Sequence, residues 1–202
     1  MTTFQPSTPD GLVDACLTRI RAIAGVGVVI VDGPSPTRPG EFADAIARRL
    51  RAEGRAAGVV RADDYLRPAS LRFEYGRTDP LTFRDGFVDH AGIDREVIDA
   101  LRRHGRWLPR LWDAQRDRSF RDSPQTATAD QIVLVGGPML LGRGHDAEVT
   151  LALRMSAAAL RRRLPDDEHW TIDPLLDHAA AAGPADIEVR YDHPARPAIA
   201  VR

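Results

Sequence analysis

The run Gly25-Val-Gly-Val-Val-Ile-Val-Asp32 constrains this chain more than any other feature. A strand with one wet face alternates apolar and polar residues, whereas this run is apolar at nearly every step and rich in β-branched side chains. That pattern predicts a strand buried on both faces, which requires a parallel sheet covered by helices on each side. The run ends in a Gly/Pro-rich turn, residues 33–40 (GPSPTRPG), and Phe42, Ala43, Ile46, Ala47 and Leu50 then recur at helical spacing. Residues 131–138 (QIVLVGGP) repeat the pattern of a buried strand followed by a turn, and residues 57–61 and 149–153 supply further strands. Helices are predicted over 93–104, 156–164 and 173–182, with terminal strands over 187–191 and 198–201. The alternation defines an α/β protein, a three-layer α/β/α arrangement around a mainly parallel sheet. With 202 residues and 43% hydrophobic content, a single domain over 1–202 is expected.

Residues 1–10 are polar and Pro-bearing and are expected to fray. Residues 66–92 show no clean period and carry many Arg, Asp and Gly, so they are expected to form a long loop on the substrate side. Residues 107–113 suggest a short strand and 114–130 a polar hairpin. The 28 basic and 29 acidic side chains nearly cancel, which leaves no global field to favour nucleic acid or an anionic membrane. One cysteine, Cys16, cannot form an intramolecular disulfide, and no signal pattern or long apolar run is present, so a cytoplasmic location is expected. The six histidines show no i, i+4 pairing and no cysteine neighbour, so no metal site is expected. The chain contains no lysine: all 28 basic residues are arginine, which excludes any chemistry needing a lysine from this chain.

Residues 33–40 occupy the place and length of a phosphate-binding loop, G-x-x-x-x-G-K-[ST], in which backbone N–H groups and a lysine converge on phosphates and a hydroxyl holds Mg²⁺. Gly33 matches the first glycine, but Arg38 stands for the second glycine, Pro39 for the lysine and Gly40 for the hydroxyl residue. The prolines remove N–H donors, and Arg38 is expected to resist the positive φ that glycine tolerates. Arg38 still offers a charge, and a helix start near Gly40 favours anions. Further on, Asp63 and Asp64 follow a predicted strand, at the edge where open α/β sheets carry their chemistry. Either they act as base and metal ligand, or they cap the following turn with their short acceptors.

Together these segments resemble the uridine kinase group of P-loop nucleoside kinases, in particular its short, divergent bacterial members. Four features carry the resemblance across residues 26–165: VVIVDGPS at 28–35, Asp63-Asp64-Tyr65 in the manner of a D-D-F/Y segment, IVLVGGP at 132–138 in the manner of a V-x-V-E-G strand, and LRRRL at 160–164 in the manner of an Arg-rich lid. The resemblance implies a P-loop kinase topology. It implies Asp63 as base near a nucleoside 5′-hydroxyl, with Asp64 beside it. It places Gly33, Ser35, Thr37, Arg38 and Gly40 with lid arginines, Arg161 and Arg162 or else Arg163, at a nucleotide, and Tyr65, Arg72, Asp85 and Asp89 at a nucleoside. It also implies ATP and Mg²⁺. Against these cofactors stand Pro39, Gly40 and Gly136, where the pattern carries lysine, Ser/Thr and an acid. If each positioned charge contributes about 3–4 kcal/mol to a transition state, two or three losses approach about 10⁵-fold in rate. The sequence therefore favours a nucleoside- or nucleotide-binding pseudokinase with a small-molecule partner, over an active nucleoside kinase and over a structural interaction module.

Overall fold

The computed structural model describes residues 3–202. Its strands are β1 (Gln5–Pro6), β2 (Gly27–Asp32), β3 (Ala57–Arg61), β4 (Arg106–Trp107), β5 (Trp112–Asp113), β6 (Arg118–Ser119), β7 (Gln125–Thr126), β8 (Ile132–Gly137), β9 (Val149–Arg154), β10 (Ile187–Arg190) and β11 (Ala198–Val201). Its α-helices are α1 (Pro9–Arg21), α2 (Pro39–Ala52), α3 (Ala69–Arg72), α4 (Pro80–Gly86), α5 (His90–Ile93), α6 (Ala100–His104), α7 (Ala157–Arg163) and α8 (Ile172–Ala181). A π-helical stretch, Asp94–Asp99, joins α5 to α6 into one continuous rod.

Seven strands form the main sheet in the order β1-β11-β10-β9-β2-β8-β3. The five from β10 to β3 run parallel, and β11 and β1 add an antiparallel edge. The three-layer α/β/α prediction stands. All six residues of β2 and of β8 are buried, as the unbroken apolar runs require. Alternation divides their side chains between two cores. Val29, Val31, Ile132 and Leu134 pack with α1 and α2, while Val28, Ile30, Val133 and Val135 pack with Ile93, Val97 and Leu101 on the other face. Full burial of such side chains contributes roughly 1.5–3 kcal/mol each. A third cluster, around Leu160, Leu164 and Ile172, seats α7 against α8.

Three expectations change. Of residues 1–10, residues 1 and 2 lie outside those described, but Gln5–Pro6 pairs with β11 and the Thr8 side chain caps α1. The neighbouring strand supplies partners that local sequence does not reveal. Residues 66–92 are not one long loop, because α3 and α4 form there and α5 begins there. Asp79 and Asp89 cap α4 and α5 by accepting N–H groups from Thr82 and Gly92, and Asp-x-x spacing at each start is the signal that periodicity missed. The single strand expected at 107–113 is two, β4 and β5, paired with β7 and β6.

Candidate functional site at the carboxyl edge of the sheet

Strand register sets Arg61 of β3 beside Gly136 of β8, and Asp32 of β2 beside Gly137. Four residues of interest thus reach one edge. The turn after β2 starts at Gly33, where an added Cβ would lie 2.5 Å from Thr37 Oγ1 and 2.8 Å from Leu153 Cβ, so only glycine lets it fold against β9. Ser35–Thr37 make one 3-10 turn, and the buried Thr37 hydroxyl donates to Pro34 O at 2.8 Å. Thr37 is therefore turned inward.

Arg38 adopts φ 54° and ψ 56°, the left-handed conformation, contrary to the expectation from its side chain. Its N–H donates to Ser35 O at 2.9 Å, and Pro39, with its fixed φ, starts α2 directly after it, so the turn overrides the residue preference. The left-handed state costs an ordinary L residue roughly 1–2 kcal/mol. Arg38 projects an exposed guanidinium that pairs with Glu41 at 3.4 Å.

At the start of α2, Gly40 and Gly136 face each other closely. A Cβ on Gly136 would lie 2.9 Å from Gly40 Cα and 2.9 Å from Pro39 O, and one on Gly40 would lie 2.6 Å from Arg61 Nη1. The Arg61 guanidinium lies over Gly40 and is ion-paired to Asp44 of α2. The residues present do not fit Mg²⁺: Gly40 supplies no hydroxyl, Gly136 has no room for a carboxylate, and a cation occupies the adjoining space. Among the described residues no group of three or more His, Cys, Asp or Glu side chains is arranged to hold a metal.

These residues border a cleft of about 180 Å³ lined by Ser35, Arg38, Gly40, Arg61, Asp63 and Gly136. Burial pushes the Asp63 carboxyl above its usual range, and Arg61 partly offsets this. Asp64, the next residue of the same 3-10 turn, is also pushed up by burial, with Arg110 opposing. It does not line the cleft. A wider groove of about 700 Å³ opens on the far side of the turn, between α1, α2 and the chain after β10, with Thr37, Arg38, Phe42, Arg163, Tyr191 and Pro194 among its walls. Arg38 and Glu41 border both spaces.

Ser156 caps α7 by accepting the Ala159 N–H, which sets the phase of its arginines. Arg163 faces the groove and donates to Asp192 O at 3.0 Å, whereas Arg161 and Arg162 do not line it. Tyr65 is fully buried, and its hydroxyl donates to Leu108 O at 2.7 Å, which removes it from any ligand-facing surface. Arg72 is buried too, its Nε donating to Arg67 O at 2.7 Å and its guanidinium stacked 4.7 Å from the Phe73 ring centre. Both serve packing. Asp89 is engaged as the α5 cap, and Asp85 pairs with Arg84 and with Arg143 at 3.0 Å.

Of the three lid arginines that the resemblance offered, Arg161, Arg162 and Arg163, only Arg163 lines the groove, and sequence reading missed Arg61 and Tyr191 as cleft and groove residues and assigned no role to Asp32. Asp32 is 3% exposed and accepts the Leu140 N–H at 3.0 Å, with Arg154 3.7 Å away. Burial pushes its carboxyl up to about 6 despite these partners. It pins the turn after β8, where Met139 also takes a left-handed φ of 57°. A partly buried network joins Asp94 to His145 at 2.6 Å and His145 to His90 at 3.2 Å. Its members are 51 and 55 residues apart, so i, i+4 spacing could not reveal it.

No protein-family model matches the sequence, and no curated protein does. Solved structures share the fold. A possible uridine kinase from Bacillus stearothermophilus superposes with a TM-score of 0.69 at 18% identity, covering 87% of this chain and 96% of that one. A protein assigned as a fructose transport system kinase from Silicibacter sp. TM1040 gives 0.70 at 21% identity, with 90% and 98% covered. The YGR205w protein gives 0.56 at 11%, with 87% and 85% covered. The chain thus has the P-loop kinase-like three-layer α/β/α fold. No helix among the described residues is long and apolar enough to cross a membrane.

Proposed function

We infer that this chain is a uridine kinase-like P-loop protein that binds a nucleotide or nucleoside and no longer transfers phosphate. The observation that carries the reading is the close approach of Gly40 to Gly136 beneath the Arg61 guanidinium. Phosphoryl transfer in this fold relies on a lysine, a hydroxyl-held Mg²⁺ and an acid to stabilise spreading charge. Here those places carry Pro39, Gly40 and Gly136, and the packing leaves no space to restore the acid. Binding is supported by the two adjoining spaces: the groove beside Tyr191, Arg163 and Pro194 suits a base and sugar, and Arg38 leads from it to the cleft. In this reading Ser35, Arg38 and Gly40 contact phosphate, while Asp85 and Asp89, which line neither the groove nor the cleft and are engaged by Arg84, Arg143 and the start of α5, take no part in holding base or sugar there.

One observation favours a second reading, an active nucleoside kinase. Asp63 lines the cleft, and its burial raises its affinity for a proton, as suits a general base for a 5′-hydroxyl.

Thermal unfolding with uridine, uridine monophosphate and ATP, followed by an assay for phosphorylated nucleoside, separates these readings. A ligand at 100 times its Kd adds about 2.7 kcal/mol of stability. Stabilisation without turnover is the expected result. Phosphorylated uridine formed by wild type and lost in Asp63→Ala would establish the kinase, and silence with every ligand would overturn both readings in favour of a structural module.

A further inference from the structure

We propose that Arg61 is a built-in counter-cation, so that the cleft between Gly40 and Gly136 takes a nucleotide's phosphates directly, without a divalent metal. This rests on the nucleotide-binding reading above and specifies how the phosphate end is held. A nucleoside polyphosphate needs positive charge wherever it is desolvated, and a divalent cation supplies that charge only where oxygen ligands hold it. At this cleft those ligands are absent, and the places from which they would project are taken. Gly136 cannot carry a carboxylate without meeting the Pro39 carbonyl and Gly40, and Arg61 Nη1 lies against the Gly40 position from which a hydroxyl would otherwise project.

The remaining acids do not make a substitute cage. Asp44 is ion-paired to Arg61, Glu41 is paired to Arg38, and Asp63 lines the cleft with Arg61 as its nearest opposing charge. A guanidinium presents several N–H donors in one plane and matches a phosphate edge with two parallel bonds. Arg61 is only half-exposed and is held by Asp44, so it is oriented before a ligand arrives. Arg38, exposed at the mouth shared with the groove, provides a second guanidinium for the same chain of phosphates. Asp44 competes for Arg61, so its charge tunes how much of the guanidinium a ligand can claim.

The test is calorimetric titration of the full chain with ATP, once in EDTA and once in millimolar Mg²⁺, with adenosine and uridine titrated alongside. ATP is expected to bind in EDTA at least as tightly as in Mg²⁺, because metal masks the charge that Arg61 seeks. Arg61→Gln should weaken ATP binding in EDTA by tenfold or more while changing nucleoside binding less than twofold. Arg61→Lys should recover part of the loss, and Asp44→Asn, which leaves Arg61 in place, should tighten ATP binding. ATP binding that requires Mg²⁺, or that is unchanged in Arg61→Gln and Asp44→Asn, overturns the proposal while leaving nucleotide binding intact. Nucleoside binding without ATP binding overturns it as well, and no binding of any of these ligands overturns the nucleotide-binding reading itself.

Discussion

Gly40 and Gly136 meet so closely that a Cβ placed on Gly136 would lie 2.9 Å from the Gly40 Cα. The first opens α2 and the second nears the end of β8, so their contact fixes how far the helix start stands from the sheet edge. With no side chain at either position, the helix settles onto the strand and the Arg61–Asp44 pair closes over the junction. The missing acid follows from backbone, since the start of α2 fills the place of a Gly136 side chain, and the missing hydroxyl leaves its place to the Arg61 guanidinium.

Reinstalling the acid should therefore fail. In Gly136→Glu the obstacle is backbone, Pro39 O and Gly40 Cα, which cannot swing aside as a flexible side chain does. Overpacking of this kind costs roughly 1–3 kcal/mol or more. Chemical denaturation is expected to show that loss, with no gain of phosphoryl transfer. A Gly136→Glu protein as stable as wild type would show that α2 can lift from the sheet.

The strain at Arg38 is measurable by a matched pair of variants. Arg38→Gly and Arg38→Ala both remove the guanidinium and its exposed pairing with Glu41, so they differ only in how they tolerate φ 54°. Glycine occupies this region freely, whereas alanine retains the left-handed penalty. Arg38→Gly should exceed Arg38→Ala in stability by about 1 kcal/mol. Equal stabilities would mean that the turn relaxes when the side chain is shortened.

Much of this architecture is legible in the chain. The uninterrupted runs of β2 and β8 announce strands buried on both sides, and the stripe from Phe42 to Leu50 announces the helix between them. What escapes is whatever depends on partners distant in sequence. Gln5–Pro6 is ordered by β11, nearly two hundred residues away, and no local period encodes that pairing. The same limit separates the site residues. Asp63 and Gly33 are marked by their place at strand ends, but Arg61 looks like an ordinary strand terminus until register sets it beside Gly136. Tyr65 and Arg72 fail in the opposite direction: their types suit ligand contact, and only the packing around Leu108 and Phe73 shows them turned inward.

The arginines of α7 offer a prediction in which neighbours behave differently. Successive helical residues turn by about 100°, so the three cannot share a direction. Arg163 faces the groove with Tyr191 and Arg38, while Arg161 and Arg162 lie elsewhere on the exposed surface. If a nucleotide occupies that groove, Arg163→Ala should weaken ATP binding several-fold and Arg161→Ala or Arg162→Ala by less than twofold. Titration calorimetry on the three single variants checks this ordering. Equal losses would point to a diffuse charge effect.

Two groups shifted by burial should contribute opposing slopes to the acid stability profile, so that single substitutions tilt it in opposite directions. Burial pushes Asp32 up to about 6, partly opposed by the Leu140 N–H and by Arg154 and Arg143. Between about pH 4 and 6 the folded chain therefore holds a proton that the unfolded chain has released, and this contribution falls as pH rises. His90 is held down to about 3 by burial, with Arg143, His145 and His178 adding to the effect. As pH drops below about 6.5, the unfolded chain accepts a proton that the folded chain refuses, so this contribution falls as pH falls. His178 is shifted in the same sense as His90, and Asp63 and Asp64 in the same sense as Asp32. Each fully developed slope is about 1.4 kcal/mol per pH unit, and the two oppose each other between about pH 4 and 6. Asp32→Asn removes one slope and should make stability drop steeply from pH 6 to 4. His90→Gln removes the other and should leave the protein more stable at pH 5 than at pH 7. Urea denaturation from pH 4 to 7 on wild type and both variants provides the measurement, and parallel profiles for all three would show that neither group titrates across this window in the folded chain.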